Sequence, residues 1–223
     1  MANAVKKVNA VAIADIKNIN GITDSNLKKL NTLEFTGTPA DAHTLISTHD
    51  IAVLGTSSSI DITSGISATY DVYEFHCINM HPVTGNAQFS FQVSAAGTFS
   101  ALQITSSAFN NYQGASKTAD GPKIEDDKDQ HNGTGDQSIL SRRTGAENSE
   151  SVSGILRLYA PSDTTYVKQF ISHGHGYHHE DYSLAMHVAG YVNTASAITQ
   201  IAFKFDTGNI EGGAIKMYGI AKS

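Results

Sequence analysis

Hydrophobic alternation at a period of two is the feature that most restricts this chain. In the run Tyr70–Met80, Val72, Glu74 and His76 fall on one face, and Tyr73, Phe75 and Cys77 on the other. Gln88–Val93 repeats the pattern and puts Phe89, Phe91 and Val93 on one side. A side-chain period of two is that of a strand with one face buried, and a one-residue slip would turn the apolar set to solvent. Between the two runs, His81-Pro82-Val83-Thr84-Gly85-Asn86 supplies turn residues, so a hairpin is expected here. Shorter strands are expected at Asp50–Leu54 and Ser59–Ile62. A second set is expected at Ile155–Tyr159, Thr165–Ile171, Tyr182–Val192, Ile198–Phe205 and Ala214–Ile220. Asp206-Thr207-Gly208-Asn209 and Gly212-Gly213 separate the last two. About eight or nine strands with few helices specify an all-β fold, an antiparallel β-sandwich of jelly-roll-like type.

Residues 110–150 interrupt this pattern. The stretch has few apolar residues, and its part 120–129 carries Asp120, Glu125, Asp126, Asp127 and Asp129 against Lys123 and Lys128. It reads as a long polar surface loop at one end of the sandwich. The acidic run lacks the alternating oxygen ligands and distal Glu of a calcium loop, so a solvated loop is the expectation.

Bulk properties exclude several classes. A chain of 223 residues accommodates one sandwich with a small appendage. The formal charge is -6 with no Lys/Arg cluster, so the footprint of a nucleic-acid binder is missing. Only 16% of residues are charged, and the uncharged polar surface suits a protein whose faces end against other subunits. Cys77 is the single cysteine, which excludes an intrachain disulfide and a thiolate-rich metal site; a small buried hydrophobe is expected there. Met1–Ala10 does not have the charged head and apolar core of a signal peptide, and no run approaches the roughly 20 apolar residues of a membrane span. The expected site of synthesis is therefore the cytosol, with any exit by incorporation into a larger particle.

The first thirty-four residues repeat at an offset of eleven. Val5-Lys6-Lys7-Val8-Asn9-Ala10-Val11 aligns with Ile16-Lys17-Asn18-Ile19-Asn20-Gly21-Ile22 and with Leu27-Lys28-Lys29-Leu30-Asn31-Thr32-Leu33. An eleven-residue period suits helices in a right-handed supercoil. Gly21 and the β-branched residues favour short extended or single-turn pieces instead, with only Asp24–Leu33 locally helical. Short repeats are units that cannot bury their own apolar face. The nine residues Val5, Val8, Val11, Ile16, Ile19, Ile22, Leu27, Leu30 and Leu33 are the expected docking set. Burying them against partners would contribute roughly 1.5–3 kcal/mol each before the entropic cost of association. The organisation expected is a docking segment over 1–34 and a sandwich over 35–223.

The C-terminal stretch Ile198–Ala221 has a strand, Gly208-Asn209-Ile210 with Gly212 close by, and a strand ending at Tyr218-Gly219. It resembles the C-terminal signature of a family of bacteriophage virion proteins described as tail-fibre or other virion structural proteins. The block from Ile60-Asp61-Ile62 to Thr69–Phe75 is similar to that family's first core hairpin, and the N-terminal repeat resembles leader segments of marine-phage structural proteins. The likeness covers about half the chain. It implies a jelly-roll-like sandwich in a symmetric homo-oligomer, a trimer being favoured, with other virion proteins as partners and the virion as location. A tail-associated or fibre role leads; a capsid decoration or head-fibre role, or a module that binds a host-surface glycan, is the alternative.

The densest candidate site is His173-Gly174-His175-Gly176-Tyr177-His178-His179-Glu180-Asp181. The main expectation is a polar loop at a sandwich end, facing a receptor or an interface, with His173, His175, Tyr177, His178 and His179 as its ligand-contacting residues. On a strand, His173 and His175 would share a face and a threefold axis would gather six nitrogens around one metal ion. No cofactor is expected. No His-Glu-x-x-His motif or nucleophile elbow occurs, so the reading is of a protein that is not an enzyme. Tyr177, Tyr182 and His178 are the candidate glycan contacts.

Overall fold

The computed structural model describes residues 43–95, 97–114, 119–140 and 143–220, and the short segments 7–8, 11–12, 18–19, 22–23, 29–30 and 33–34. The chain divides into two compact units, Met1–Asp41 and Ala42–Ser223.

In the first unit each repeat is a minimal antiparallel hairpin. Strand β1 (Lys7–Val8) pairs β2 (Val11–Ala12), β3 (Asn18–Ile19) pairs β4 (Ile22–Thr23), and β5 (Lys29–Leu30) pairs β6 (Leu33–Glu34). The registers set Val8 opposite Val11, Ile19 opposite Ile22 and Leu30 opposite Leu33. Two residues separate the paired strands, and the first is Asn in all three copies, the residue type that two-residue hairpin connections favour. The helix expected over Asp24–Leu33 is corrected at Lys29–Leu30 and Leu33, which are paired strands; the rest of that stretch lies outside the described residues. Of the nine apolar positions, Val5, Ile16 and Leu27 lie outside the described residues.

The second unit is an antiparallel β-sandwich. Its strands are β7 (His43–Asp50), β8 (Ile60–Ile62), β9 (Val72–Pro82), β10 (Phe89–Ser94), β11 (Ile104–Gly114), β12 (Ala119–Ile124), β13 (His131–Gly133), β14 (Gln137–Ser138), β15 (Val152–Tyr159), β16 (Lys168–His178), β17 (Tyr182–Val192), β18 (Gln200–Phe205) and β19 (Ile210–Ile220). One sheet has nine strands, in the order β12-β11-β17-β16-β15-β9-β19-β7 with β13 also on β11; the other has four, β14-β10-β18-β8. The chain crosses between them repeatedly. β8, β10, β14 and β18 each enter the smaller sheet alone and leave at once.

Two apolar faces meet between the sheets. Phe75 of β9 packs against Phe203 of β18 with ring centroids 5.5 Å apart, and Phe91 of β10 against Phe170 of β16 at 5.1 Å. Within the smaller sheet Phe89 stacks on Phe203 and meets Phe205 edge-on. Tyr73, Met80, Leu156, Leu158, Met186, Val188, Ile215 and Met217 complete the contact from the larger sheet. Tyr73 keeps its hydroxyl satisfied by accepting from the Ser67 amide at 2.8 Å and donating to the Ser67 carbonyl at 2.9 Å.

Several local expectations are corrected. β9 and β10 do not form a hairpin: β9 pairs β15 and β19, β10 pairs β14 and β18, and residues 81–86 carry the chain from one sheet to the other. Ile51–Leu54 is one helical turn, because Asp50 accepts from the Ala52 amide at 2.9 Å and the Gly55 amide closes on the Ile51 carbonyl at 2.7 Å. Gly212-Gly213 lies inside β19 at register shifts against β9; Gly213 has φ +106°, and a Cβ there would stand 2.5 Å from the Asn79 carbonyl oxygen. The sandwich has thirteen strands among the described residues, more than the eight or nine expected.

The largest correction concerns residues 110–150. This stretch contributes the end of β11 and all of β12, β13 and β14, and buries Gln137, Ile139 and Leu140. Polar side chains hold it. Gln137 Oε1 accepts from Ser106 Oγ at 2.6 Å, and its Nε2 donates to the Lys128 carbonyl at 3.0 Å. Asp129 Oδ1 accepts from the Ala108 amide at 2.6 Å. Cys77 is buried as expected, and burial pushes its thiol up from its ordinary value.

Phe203→Ala should cost about 3–5 kcal/mol in urea denaturation, since it opens a cavity between the sheets. Phe109→Ala, at a side chain 51% exposed on the outer face, should cost less than about 1 kcal/mol. Comparable losses would contradict the assignment of the core.

Candidate functional site

The histidine-rich stretch is a strand for most of its length, which corrects the loop expected there. β16 runs through His178, and only residues 179–181 turn. His173, His175 and Tyr177 face outward from the larger sheet, whereas His178 faces inward and is buried. The five residues therefore divide between two surfaces.

On the outer face the strand registers line up one row: Lys216, His76, Ile155, His173, His187, Phe109 and Ile124 are successive cross-strand neighbours. Phe109 stacks on His187 at 5.0 Å, and the His187 and His173 rings lie 6.3 Å apart. Burial first, then the charges of Arg157 and His187, hold the His173 imidazole below its ordinary value. His175 Nε2 is 2.8 Å from Ser183 Oγ.

Beside this row lies a buried carboxylate. Glu74, 4% exposed, accepts at Oε2 from His76 Nε2 at 2.9 Å and from His43 Nε2 at 3.2 Å, and at Oε1 from Arg157 Nε at 2.5 Å. Burial pushes its carboxyl up, but the hydrogen bonds from His76 and Arg157 and the charges of Arg157 and His43 outweigh it, so the group sits below the usual carboxylate range.

The inner face of the same sheet opens into a cleft of about 200 Å³ at the corner where β11, β12, β16 and β17 meet. Asn110 and Tyr112 of β11, Lys123 of β12, His178 of β16 and Tyr182 and Leu184 of β17 line it, with Arg143 and Glu180 from adjoining turns. Tyr112 and Tyr182 meet edge to face at 5.5 Å, and Tyr182 meets His178 in the same way at 5.5 Å. Lys123 Nζ donates to the Tyr112 hydroxyl at 2.7 Å. Arg143 has φ +60°, and its carbonyl accepts from the His179 amide at 3.0 Å. Next to it, Thr144 is buried and bridges Ala87 and His178.

Asn110 is 1% exposed and donates Nδ2 to Glu125 Oε1 at 2.7 Å. The carboxylate oxygen takes the amide hydrogens, which fixes the amide orientation and turns Oδ1 away. Among the described residues Asn110 Oδ1 has no hydrogen-bond partner.

His178, His179 and Glu180 also offer three ligand atoms within 4.8 Å of one another. Four ligands at about 2.05 Å around a tetrahedral metal lie roughly 3.3 Å apart. The His178 and His179 rings are stacked at 4.6 Å with 26° between planes, so their nitrogen lone pairs run side by side. His178 Nδ1 already accepts the Glu180 amide at 3.1 Å. This arrangement suits a hydrogen-bonded turn better than a coordination sphere.

Sequence reasoning placed His178 and Tyr182 among glycan contacts and missed Asn110, Tyr112, Lys123, Arg143 and Glu180 as partners in one cleft. A signal existed: Ile104, Ala108, Asn110 and Tyr112 continue a period-two face, but only two of the four are strongly apolar or aromatic. Comparisons with protein-family models, curated proteins and solved structures give no match.

Because the folded Glu74 carboxyl titrates below its ordinary value, its network stabilises the fold above that ordinary value and loses the contribution as pH falls through the lowered one. Glu74→Gln should cost about 1–3 kcal/mol at pH 7. The gap between wild type and variant should narrow at pH 3 in urea denaturation; an equal gap at both would exclude the ionised carboxylate as its source.

Proposed function

We propose that this protein is a non-catalytic structural subunit of a bacteriophage particle, tail-associated or fibre-like, which docks through its N-terminal hairpin repeats and displays the β-sandwich. The observation that carries the reading is the form of the repeats. Each is a hairpin with two-residue strands, and an isolated two-stranded hairpin is marginal in water even when longer. Three such units in series, each with an apolar pair at matched positions, gain most by laying those pairs against another surface.

Two further observations support it. The body is an antiparallel sandwich, the architecture that the resemblance to virion structural proteins leads one to expect. The larger sheet also presents outward Ile124, Phe109, Ile171, Leu45 and Tyr191, all substantially exposed, with few charges among them. A surface of that composition is suited to subunit contact. In this reading the chain forms a homo-oligomer, a trimer by preference, and its partners are other virion proteins.

Particles purified from cultures carrying Val8→Asp, Ile19→Asp and Leu30→Asp together should contain little or none of this protein by mass spectrometry. The purified variant should keep the strand signal and thermal midpoint of the wild type. Undiminished incorporation would refute docking through the repeats. Immunogold imaging of wild-type particles would separate a tail position from a capsid-surface one.

A further inference from the structure

We infer that the outer face of the larger sheet is a contact between copies of this chain that opens when its histidines are protonated. The inference rests on the homo-oligomer proposed above and adds what controls it.

The distribution of charge singles out both the face and its occupant. The chain has 21 Asp and Glu and a formal charge of -6, so two copies repel wherever their acids meet. Yet the five central strands β9, β11, β15, β16 and β17 contain one carboxylate, Glu74. It is 4% exposed and already accepts from Arg157, His76 and His43. Around a symmetry axis, residues near the axis approach their own counterparts, and such a contact needs a surface with few charges. With its imidazoles neutral, this face is one. Phe109, Ile171, Ile124 and Tyr191 stand exposed on it, and its fixed cations are Arg157, matched by Glu74, and Lys216. An anionic partner would suit the same face only after acidification, which is the opposite pH dependence.

Six of the ten histidines share this face. His76, His173 and His187 lie in one cross-strand row, and His175 is two residues further along β16. His43 bonds Glu74 beside His76, and His131 pairs with outward Thr105. The centre is the directly opposed pair His173 and His187, with Ile155 on one side and Phe109 on the other. Burial, Arg157 and His187 hold the His173 imidazole below its ordinary value, so it enters the contact neutral.

The groups around this pair leave its positive charge unmatched. β15 presents Arg157 and Tyr159, β9 presents Glu74 and His76, and β16 adds His175 and Tyr177. β17 adds Tyr191, β19 Lys216 and Tyr218, and β7 His43, whereas β11 presents no charged group outward. Two anions stand among them, and both are engaged: Glu74 by Arg157 and two imidazoles, Asp181 by the Tyr177 hydroxyl. Protonated His173 and His187 would therefore carry unpaired charge into a contact that excludes water, and each would face its counterpart in another copy. Such burial is strongly unfavourable. An imidazole that must be neutral to enter a contact weakens it about tenfold for each pH unit below its pKa.

The test is sedimentation velocity of the full chain over a concentration series at pH 8 and pH 5.5, with circular dichroism to confirm that the body stays folded at both. The apparent Kd should be at least about tenfold weaker at pH 5.5. The sequence pI is about 5.9, so bulk repulsion between copies is small at pH 5.5 and this loss runs against the bulk trend. The double variant His173→Gln/His187→Gln should associate at pH 8 and lose most of the shift, and Ile171→Asp should be monomeric at pH 8 with an unchanged thermal midpoint. Equal association of the wild type at both pH values would overturn the pH control, even where a variant fails to fold. Stronger association at pH 5.5 would mean that a cationic face docks on an acidic one, and would overturn it too, as would an undiminished shift in the double variant. Oligomers that survive Ile171→Asp would place the contact elsewhere, leaving the particle reading to the incorporation experiment above. A wild type monomeric at pH 8 would remove the homo-oligomer and the inference together.

Discussion

The contact that the body depends on is the seam of phenylalanine rings between the two sheets. Phe75 and Phe170 come from the larger sheet, Phe89, Phe91, Phe203 and Phe205 from the smaller, and all six are buried. Rings of this size remove more apolar surface per residue than any aliphatic side chain, and edge-to-face contacts add directional preference. The seam also sets where binding chemistry can occur. Four strands cannot cover nine. At the edge of the smaller sheet β14 reaches the inner face of β11, where Gln137 accepts from Ser106, and Asp129 takes the Ala108 amide beside it. Where that cover stops, the inward positions become Asn110, Tyr112, His178 and Tyr182, and the cleft opens.

How much was legible in the sequence follows from which force orders each segment. Tyr182–Val192 was bounded to the residue, and β9, β10 and β18 nearly so, because their apolar side chains alternate over most of each strand, with breaks at Gly190 and after Cys77. Residues 110–150 were read as loop because hydrogen bonds from buried Gln and Glu and half-buried Asp side chains order them, and those residue types are also typical of solvated turns. Ile51–Leu54 was read as strand because its residues favour β structure, yet Asp50 and Gly55 cap it into a helical turn. The pairing of strands was not legible at all. Alternation tells which face of a strand is buried, not which sheet it joins, so β9 and β10 looked like a hairpin although they lie in different layers.

The candidate site shows the same division. His173 and His175 were correctly seen as a pair that would share a face on a strand, but the strand itself was expected to be a loop. Their neighbour His178 belongs to the opposite surface because parity reverses at each residue. The cleft draws on β11, β12, β16 and β17 and on two turns, so no local window of sequence contains it. The two faces of one sheet are thus chemically distinct. The outer has a carboxylate buried among His43, His76 and Arg157, and the inner corner has the Asn110 amide oxygen, without a hydrogen-bond partner among the described residues.

The repeated crossing of the chain between layers has a kinetic consequence. β9, at the middle of the larger sheet, has as its two neighbours β15 and β19, so both partners must be synthesised long after it. β8 likewise waits for β18. Topologies dominated by such distant pairings fold slowly, since loop closure costs entropy before any contact offsets it. On the ribosome, β9 stays without its β19 neighbour, and β8 and β10 without β18, until residues 200–220 appear.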